Sequence, residues 1–284
     1  MTATAERDLA STLLANCVGR TRETADCVRS ELLERVAATL GVPTPDALPL
    51  TWHWCLFQDW VAPEGLGPDG HPRRGGFLPP VYDLPRRMWA GGEVEAVAPI
   101  RPGDRVTRRS RIASAVEKAG GSGRLVFVEV HHEIAGPAGV ALRERQTLVY
   151  RGTDGAAVRE APAAPPAPPG AAEFAVMPDP VLLFRYSALT GNGHRIHYDA
   201  DYVRDAEGYP GLVVHGPLQA TLLAGLAEQA NRGRLLARLR FRGARPAFAG
   251  AVLRGQGWAE ADRFALRTLD PSGRVCMEAD AWFS

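Results

Sequence analysis

Residues 215–231 read His-Gly-Pro-Leu-Gln-Ala-Thr-Leu-Leu-Ala-Gly-Leu-Ala-Glu-Gln-Ala-Asn, and this stretch decides the fold. Pro217 suits the first position of a helix, because its missing N–H would have no partner there. A helix is therefore expected over about Pro217 to Asn231. Leu218, Leu222, Leu226 and Ala230 recur every four residues, with Leu223 and Ala227 beside them. Small residues, Ala220, Ala224 and Gly225, fill much of the rest. A helix apolar on nearly every side must be wrapped by other elements. A strongly curved antiparallel sheet around one central helix does this.

The strands for such a sheet lie downstream and, in parallel, far upstream. Arg245-Pro246-Ala247-Phe248-Ala249-Gly250 is a turn that leads into runs at Ala251 to Glu260, Phe264 to Leu269 and Arg274 to Phe283. Upstream, Arg101-Pro102-Gly103-Asp104 leads into runs at Arg105 to Ala113, Arg124 to Ile134 and Ala141 to Arg151. Val126, Val128 and Val130 share one face, as do Val275, Met277, Ala279, Ala281 and Phe283. Asp270-Pro271-Ser272-Gly273 suits a hairpin. The halves thus share a plan, although their sequence identity is low. Glu160 to Ala172 is rich in Pro and Ala and reads as a stiff connector. Three segments follow: a front domain over 1–159, a linker over 160–172 and a back domain over 173–284. The front half lacks an equally clean central helix. Its best helix, about Glu23 to Leu40, is amphipathic, and Gly65 to Gly92 reads as an irregular excursion.

Whole-chain properties narrow the function. The net charge is +1, and no run of Lys or Arg suggests nucleic acid as a partner. No uninterrupted apolar stretch approaches a membrane span, and Met1 to Ala10 lacks the apolar core of a signal peptide. Cys17, Cys27, Cys55 and Cys276 form no C-x-x-C pair. They are expected to be inert thiols of a cytoplasmic protein. No P-loop, dinucleotide fingerprint, metal-ligand spacing or nucleophile elbow occurs, so no cofactor or metal is expected.

Chemistry concentrates at Phe184 to Asp199 and Gly211 to Leu218. His194, His197 and His215, three of the seven histidines, fall in these stretches. Imidazoles, glycine bends and a helix start are the parts of a proton-transfer site. For a lone histidine, burial as a satisfied core residue is the alternative. Arg234, Arg238, Arg240, Arg242 and Arg245 alternate with Leu239 and Phe241. They share a strand face, read as solvated in preference to a phosphate site.

At these residues the chain resembles the MaoC-type hydratases, in which a carboxylate and a histidine precede a later His-Gly at a helix start. Phe184 to Asp199 with Glu207 to Leu218 is more closely similar to the mesaconyl-CoA (C4) hydratase and hydroxyacyl-thioester dehydratase group. The front blocks Gly67 to Pro80 and Pro85 to Gly92 share in the resemblance. It implies an α+β, double hotdog fold, two helix-wrapping sheets in one chain. It also implies reversible addition of water to the double bond of an enoyl thioester, carried by CoA or a carrier protein. His197 falls on the family's catalytic histidine and Asn192 on a position that is Asp in the wider pattern.

Asn192 does not titrate, so it is expected to hold the water while His197 moves protons. The N–H groups of Gly216 and Leu218 are candidates for the enolate oxygen, with His215 alternatively a plain helix cap. His194 and Arg195 are placed near the carrier or a substrate carboxylate, with a structural ion pair equally open for Arg195. Gly191 stands where Phe is expected in the closer group. Either it enlarges the acyl pocket for a bulkier group, or it supplies a positive φ. His71, His131 and His132 are expected to be replaceable, with His71 the one able to touch ligand. A homo-oligomer, such as a dimer, is an open expectation. The rival readings are a hotdog thioesterase, which would want a carboxylate at Asn192, and a non-catalytic acyl-thioester-binding protein.

Overall fold

The computed structural model describes residues 12–120, 123–152 and 161–284. The front half contributes β1 (Thr21–Cys27), α1 (Ser30–Leu40), β2 (Arg86–Ala96), β3 (Arg105–Gly120), β4 (Gly123–Gly136) and β5 (Gly139–Arg151). The back half contributes β6 (Ala172–Val176), α2 (Pro180–Thr190), α3 (Ala200–Asp205) and α4 (Gly216–Ala230). It continues with β7 (Leu236–Gly243), β8 (Leu253–Glu260), β9 (Arg263–Leu269) and β10 (Val275–Phe283). Ten described strands form one antiparallel sheet in the order β1-β3-β4-β5-β2-β7-β10-β9-β8-β6. Counted outward from the centre, the front runs 2-5-4-3-1 and the back 7-10-9-8-6. These are the same path with every number raised by five. The halves are therefore topological copies, joined edge to edge where β2 pairs with β7.

The wrapped helix is α4. Leu218, Ala220, Leu223, Ala224, Leu226 and Ala227 are all buried, on every side of it. It packs against β7, β8, β9 and β10 and also touches β2. Among the described residues, the front half has no long counterpart. Its sheet is covered instead by the excursion after α1: Trp52, Leu56 and Phe57 join the main core, and Val81 and Leu84 join Ile112, Val126, Val128 and Tyr150. This is the double hotdog architecture that the resemblance implies, with the front helix replaced by irregular chain.

Three details differ from the sequence reading. The helix expected over Glu23 to Leu40 is a strand followed by a helix. Thr21, Arg22, Glu23 and Thr24 form the exposed edge strand β1, and only from Ser30 does the chain coil. The segment Gly65 to Gly92 ends not in a loop but in β2, the strand that joins the halves. Gly91 and Gly92 serve close packing there: a Cβ on Gly91 would lie 2.5 Å from Phe241 O, and one on Gly92 would strike Arg145 O. The back half holds a second helix, α2, capped by Asp179 and ended by Gly191 at φ +60°. Its counterpart α1 ends in the same way at Gly41, φ +70°. Of the proposed boundaries, 159/160 lies outside the described residues, and Ala172 already belongs to β6.

The arginine face behaves as a solvated surface. Arg240 pairs with Asp280 and Arg242 with Glu278, while Leu239 and Phe241 point into the core. Arg238 lies 3.8 Å over the Trp282 ring. Arg245 instead lines the groove described next. Burial pushes the Cys55 and Cys276 thiols up to about 12, which leaves them protonated and unreactive.

Candidate active site

The site forms where α2 ends. Gly191 in the left-handed region reverses the chain, and Asn192 N–H then donates to Ser187 O at 2.9 Å. A Cβ on Gly191 would also press the Gln58 side chain at 3.2 Å. The glycine thus has a backbone reason. Asn192 Oδ1 accepts from His194 N–H at 3.0 Å, which spends its acceptor on the turn. The amide N–H donors of Asn192 remain for the groove it lines.

His197 lies in the short turn that follows and is buried. Its Nδ1–H donates to Val213 O at 2.7 Å, so Nε2 carries the lone pair. The ring stacks on His215 at 3.6 Å and 17°. His215 Nε2 meets Ser187 Oγ at 2.8 Å, and its side chain makes no helix-cap bond. His215 is therefore a platform for His197 rather than a cap. Burial lowers the pKa of His197 to about 4, partly opposed by the Val213 bond. The imidazole is neutral, and so able to act as a base, throughout the physiological range.

At the start of α4, Gly216 faces the groove, while Leu218 is packed in the core. A Cβ on Gly216 would lie 2.8 Å from the Trp89 ring, so only glycine lets the ring approach this helix end. Arg195 is committed to structure. Its Nε and Nη2 donate to Asp199, and its Nη1 donates to Pro68 O. Tyr198 O–H donates to Gly193 O, and Asp199 caps α3.

The front half closes the site. Arg195 N–H donates to Asp69 O at 2.9 Å, and the Gly70 and Gly193 backbones touch directly. This contact carries His71 into the groove. Its Nδ1 meets Asp69 Oδ2 at 3.1 Å, and its ring lies 4.2 Å from that of His194, which stands edge-on to His197 at 5.6 Å. The sequence reading expected His71 to be replaceable but able to touch ligand, and it shares a wall of the groove with His197 across 126 residues of chain. One donor atom from each of Asp69, His71 and His194 lies within 4.8 Å of the others. No other set of described residues comes as close to a metal-ligand group, and Asp69 is already bonded to His71. Of the other front histidines, His131 is exposed and bonded to Glu129. His132 points inward beside Ser110 at 2.7 Å.

The groove measures about 2300 Å³ and runs from the histidines past Arg87, Arg151 and Arg245. Behind Asn192, His215 and Pro217, an inner pocket of about 310 Å³ reaches the front sheet.

Residues 51–249 match the family model described as hydroxyacyl-thioester dehydratase type 2. The chain belongs to this family. It is an enzyme that reversibly adds water across the double bond of an enoyl thioester, the reverse being dehydration of the 3-hydroxyacyl thioester. Mesaconyl-C(4)-CoA hydratase of Chloroflexus aurantiacus is 40% identical over 267 residues, 92% of this chain and 95% of that protein. A MaoC-like dehydratase from Phytophthora capsici has a similar structure, with TM-score 0.70, 17% identity and coverage of 96% and 98% of the two chains. A conserved hypothetical protein from Mycobacterium tuberculosis, whose structure is described as a double hotdog fold, gives TM-score 0.57 at 14% identity, with 94% and 96% covered. These two likenesses bear on the fold, and the family match bears on the reaction.

Burial of neutral imidazoles has a consequence for stability. His71, His132, His194, His197 and His215 all have pKa values lowered chiefly by burial, His194 to about 2. Between about 4 and 6.5 the unfolded chain binds protons that the folded chain refuses, so acid favours unfolding. The melting temperature should fall steadily from pH 6.5 to pH 4. A thermal-shift series across that window tests this, and a flat series would refute it.

Proposed function

We propose that His197 is the proton-transfer residue of the hydration reaction and that the acyl carrier is CoA. In the hydration direction, Nε2 of His197 takes a proton from water as the oxygen bonds to the β carbon. The electron pair of the double bond moves onto the thioester oxygen, and the enolate then takes the proton at the α carbon. The two donors of Asn192 orient the water. The N–H of Gly216, at the positive end of α4, receives the enolate oxygen. The observation that carries this reading is His197 itself, which has one nitrogen fixed on Val213 O and the other without a hydrogen bond to any described residue at the groove. CoA is favoured by the name of the Chloroflexus hydratase and by the arginines along the groove.

The four free thiols support a reducing compartment, the cytoplasm. Because the front half completes the site within one chain, the chemistry needs no second copy. Incubation with a panel of enoyl-CoA thioesters, followed by loss of the conjugated absorbance, tests the reaction. No loss with any member of the panel would overturn it.

Asn192→Ala removes the water's donors and should lower turnover about 10- to 100-fold, while Asn192→Asp should recover part of it. If the alanine variant turns over like the wild type, Asn192 does not hold the water.

A further inference from the structure

An attacking water has two hydrogens to place. One goes to His197 Nε2, and one lone pair is aimed at the β carbon. The Asn192 amide does not accept the second hydrogen, because its oxygen faces His194 N–H at 3.0 Å and only its N–H donors remain for the groove. A buried O–H without an acceptor is costly, and it leaves the oxygen less nucleophilic.

The front half offers an acceptor. His71 sits in a tight loop, where Gly67 N–H donates to His71 O at 2.7 Å and Gly70 N–H to Gly67 O at 3.0 Å. Asp69 orients the ring from within that loop. Its Oδ1 accepts the His71 backbone N–H at 3.1 Å, and its Oδ2 accepts the ring Nδ1–H at 3.1 Å. Nε2 therefore carries the lone pair, and it has no hydrogen bond to any described residue. Burial, opposed by Asp69 and aided by Arg87 and Arg74, holds the His71 pKa below its usual value, so the ring is neutral and able to accept. His71 and His197 line the same groove, and charge on His71 is felt at His197. The adjoining His194 lacks this arrangement: no described residue bonds its ring nitrogens, so nothing selects its tautomer.

The geometry points to His71, fixed by Asp69, as a further catalytic residue, whose Nε2 accepts the hydrogen of the attacking water that His197 does not take. That hydrogen stays on oxygen and becomes the hydrogen of the 3-hydroxyl, while the proton taken by His197 goes to the α carbon. His71 itself neither gains nor loses a proton. In dehydration the departing hydroxyl makes the same bond. The inference rests on the proposed role of His197.

The test uses the best-hydrated member of the enoyl-CoA panel. His71→Ala should lower kcat about 30- to 100-fold with KM changed less than about threefold. His71→Gln, whose amide oxygen reaches the place of Nε2, should regain at least about fivefold over alanine. His71→Asn, whose amide ends at the place of Nδ1, should not. Asp69→Asn is the sharper variant. Its oxygen keeps the backbone N–H, so its N–H donors face Nδ1 and force the ring proton onto Nε2, where it opposes the water's hydrogen. It should lose as much kcat as His71→Ala while remaining folded by its melting curve. Nitrogen NMR of histidine-labelled protein reads the tautomer without any chemistry: Nδ1–H at His71 in wild type, Nε2–H in Asp69→Asn. Nε2–H in wild type overturns the inference, as does a folded His71→Ala whose kcat stays within about threefold of wild type. A loss confined to KM also overturns it and makes His71 a binding contact. If wild type hydrates no enoyl-CoA, or if His197→Ala keeps its activity, the reading of His197 falls first and this inference falls with it.

Discussion

Replacing His197 by alanine should lower kcat/KM for an enoyl-CoA by about two to four orders of magnitude, the range for a positioned acid–base group. Among the groove-lining groups, it alone combines a buried ring, a fixed tautomer and a stacked partner. The loss should appear in kcat, with substrate affinity little changed. The pH profile gives a second check. Because burial lowers the pKa to about 4, the acid limb of kcat/KM in wild type should fall near pH 4 rather than near the ordinary histidine value. His197→Ala should lose that limb. A folded alanine variant with near-normal turnover would remove His197 from the mechanism. An acid limb near 6.5 would assign the titration to a more exposed group.

The central helix and most strands are legible in the sequence, because their patterns come from burial. α4 is apolar all round and is wrapped all round. The alternation at Val126, Val128 and Val130 continues in space to the inward-facing His132, so extending that period by one step would have found the inner pocket's polar wall. β1 is not legible in this way. As an edge strand paired only to β3, it has little apolar face to show, and the amphipathic signal of Leu32 to Leu40 masked its end. β2 hid behind Pro85 and its glycine pair, which read locally as breakers. Their reason lies outside the segment, in the backbones of β5 and β7 that press against Gly91 and Gly92.

For the site, the local part was legible and the assembled part was not. The turn from Gly191 to Asp199 carries its own signals, and its Asn192 and His197 both line the groove. Arg195 shows the limit of that reasoning, for only the positions of Asp199 and Pro68 reveal that its charge is spent. The Asp69–His71 pair depends on a backbone contact between Gly70 and Gly193. No pattern of periodicity or spacing encodes a meeting between residues so far apart. Two glycines facing each other leave only the absence of side chains as their trace.

Gly216→Ala should be strongly damaging to turnover, although it adds a single methyl group. The added carbon would sit 2.8 Å from Cε3 of Trp89, closer than real Cβ contacts come, and a tight 3.1 Å from Cζ3. Trp89 cannot retreat easily: it stacks on Phe241 at 4.5 Å and meets Trp54 edge-on at 5.5 Å. The strain must instead displace the first turn of α4, and with it the Gly216 N–H and the neighbouring His215 that supports His197. Loss of one oxyanion donor costs about 10²- to 10³-fold in kcat, and displacement of the His215 platform adds to that. Turnover of an enoyl-CoA should therefore fall by at least about 100-fold, with a lowered melting temperature from overpacking. A pocket-widening partner separates the two effects. Gly216→Ala combined with Trp89→Leu should regain stability and part of the activity if the clash is the cause. If Gly216→Ala alone stays within about threefold of wild type, the N–H at this helix start is not where the enolate oxygen rests.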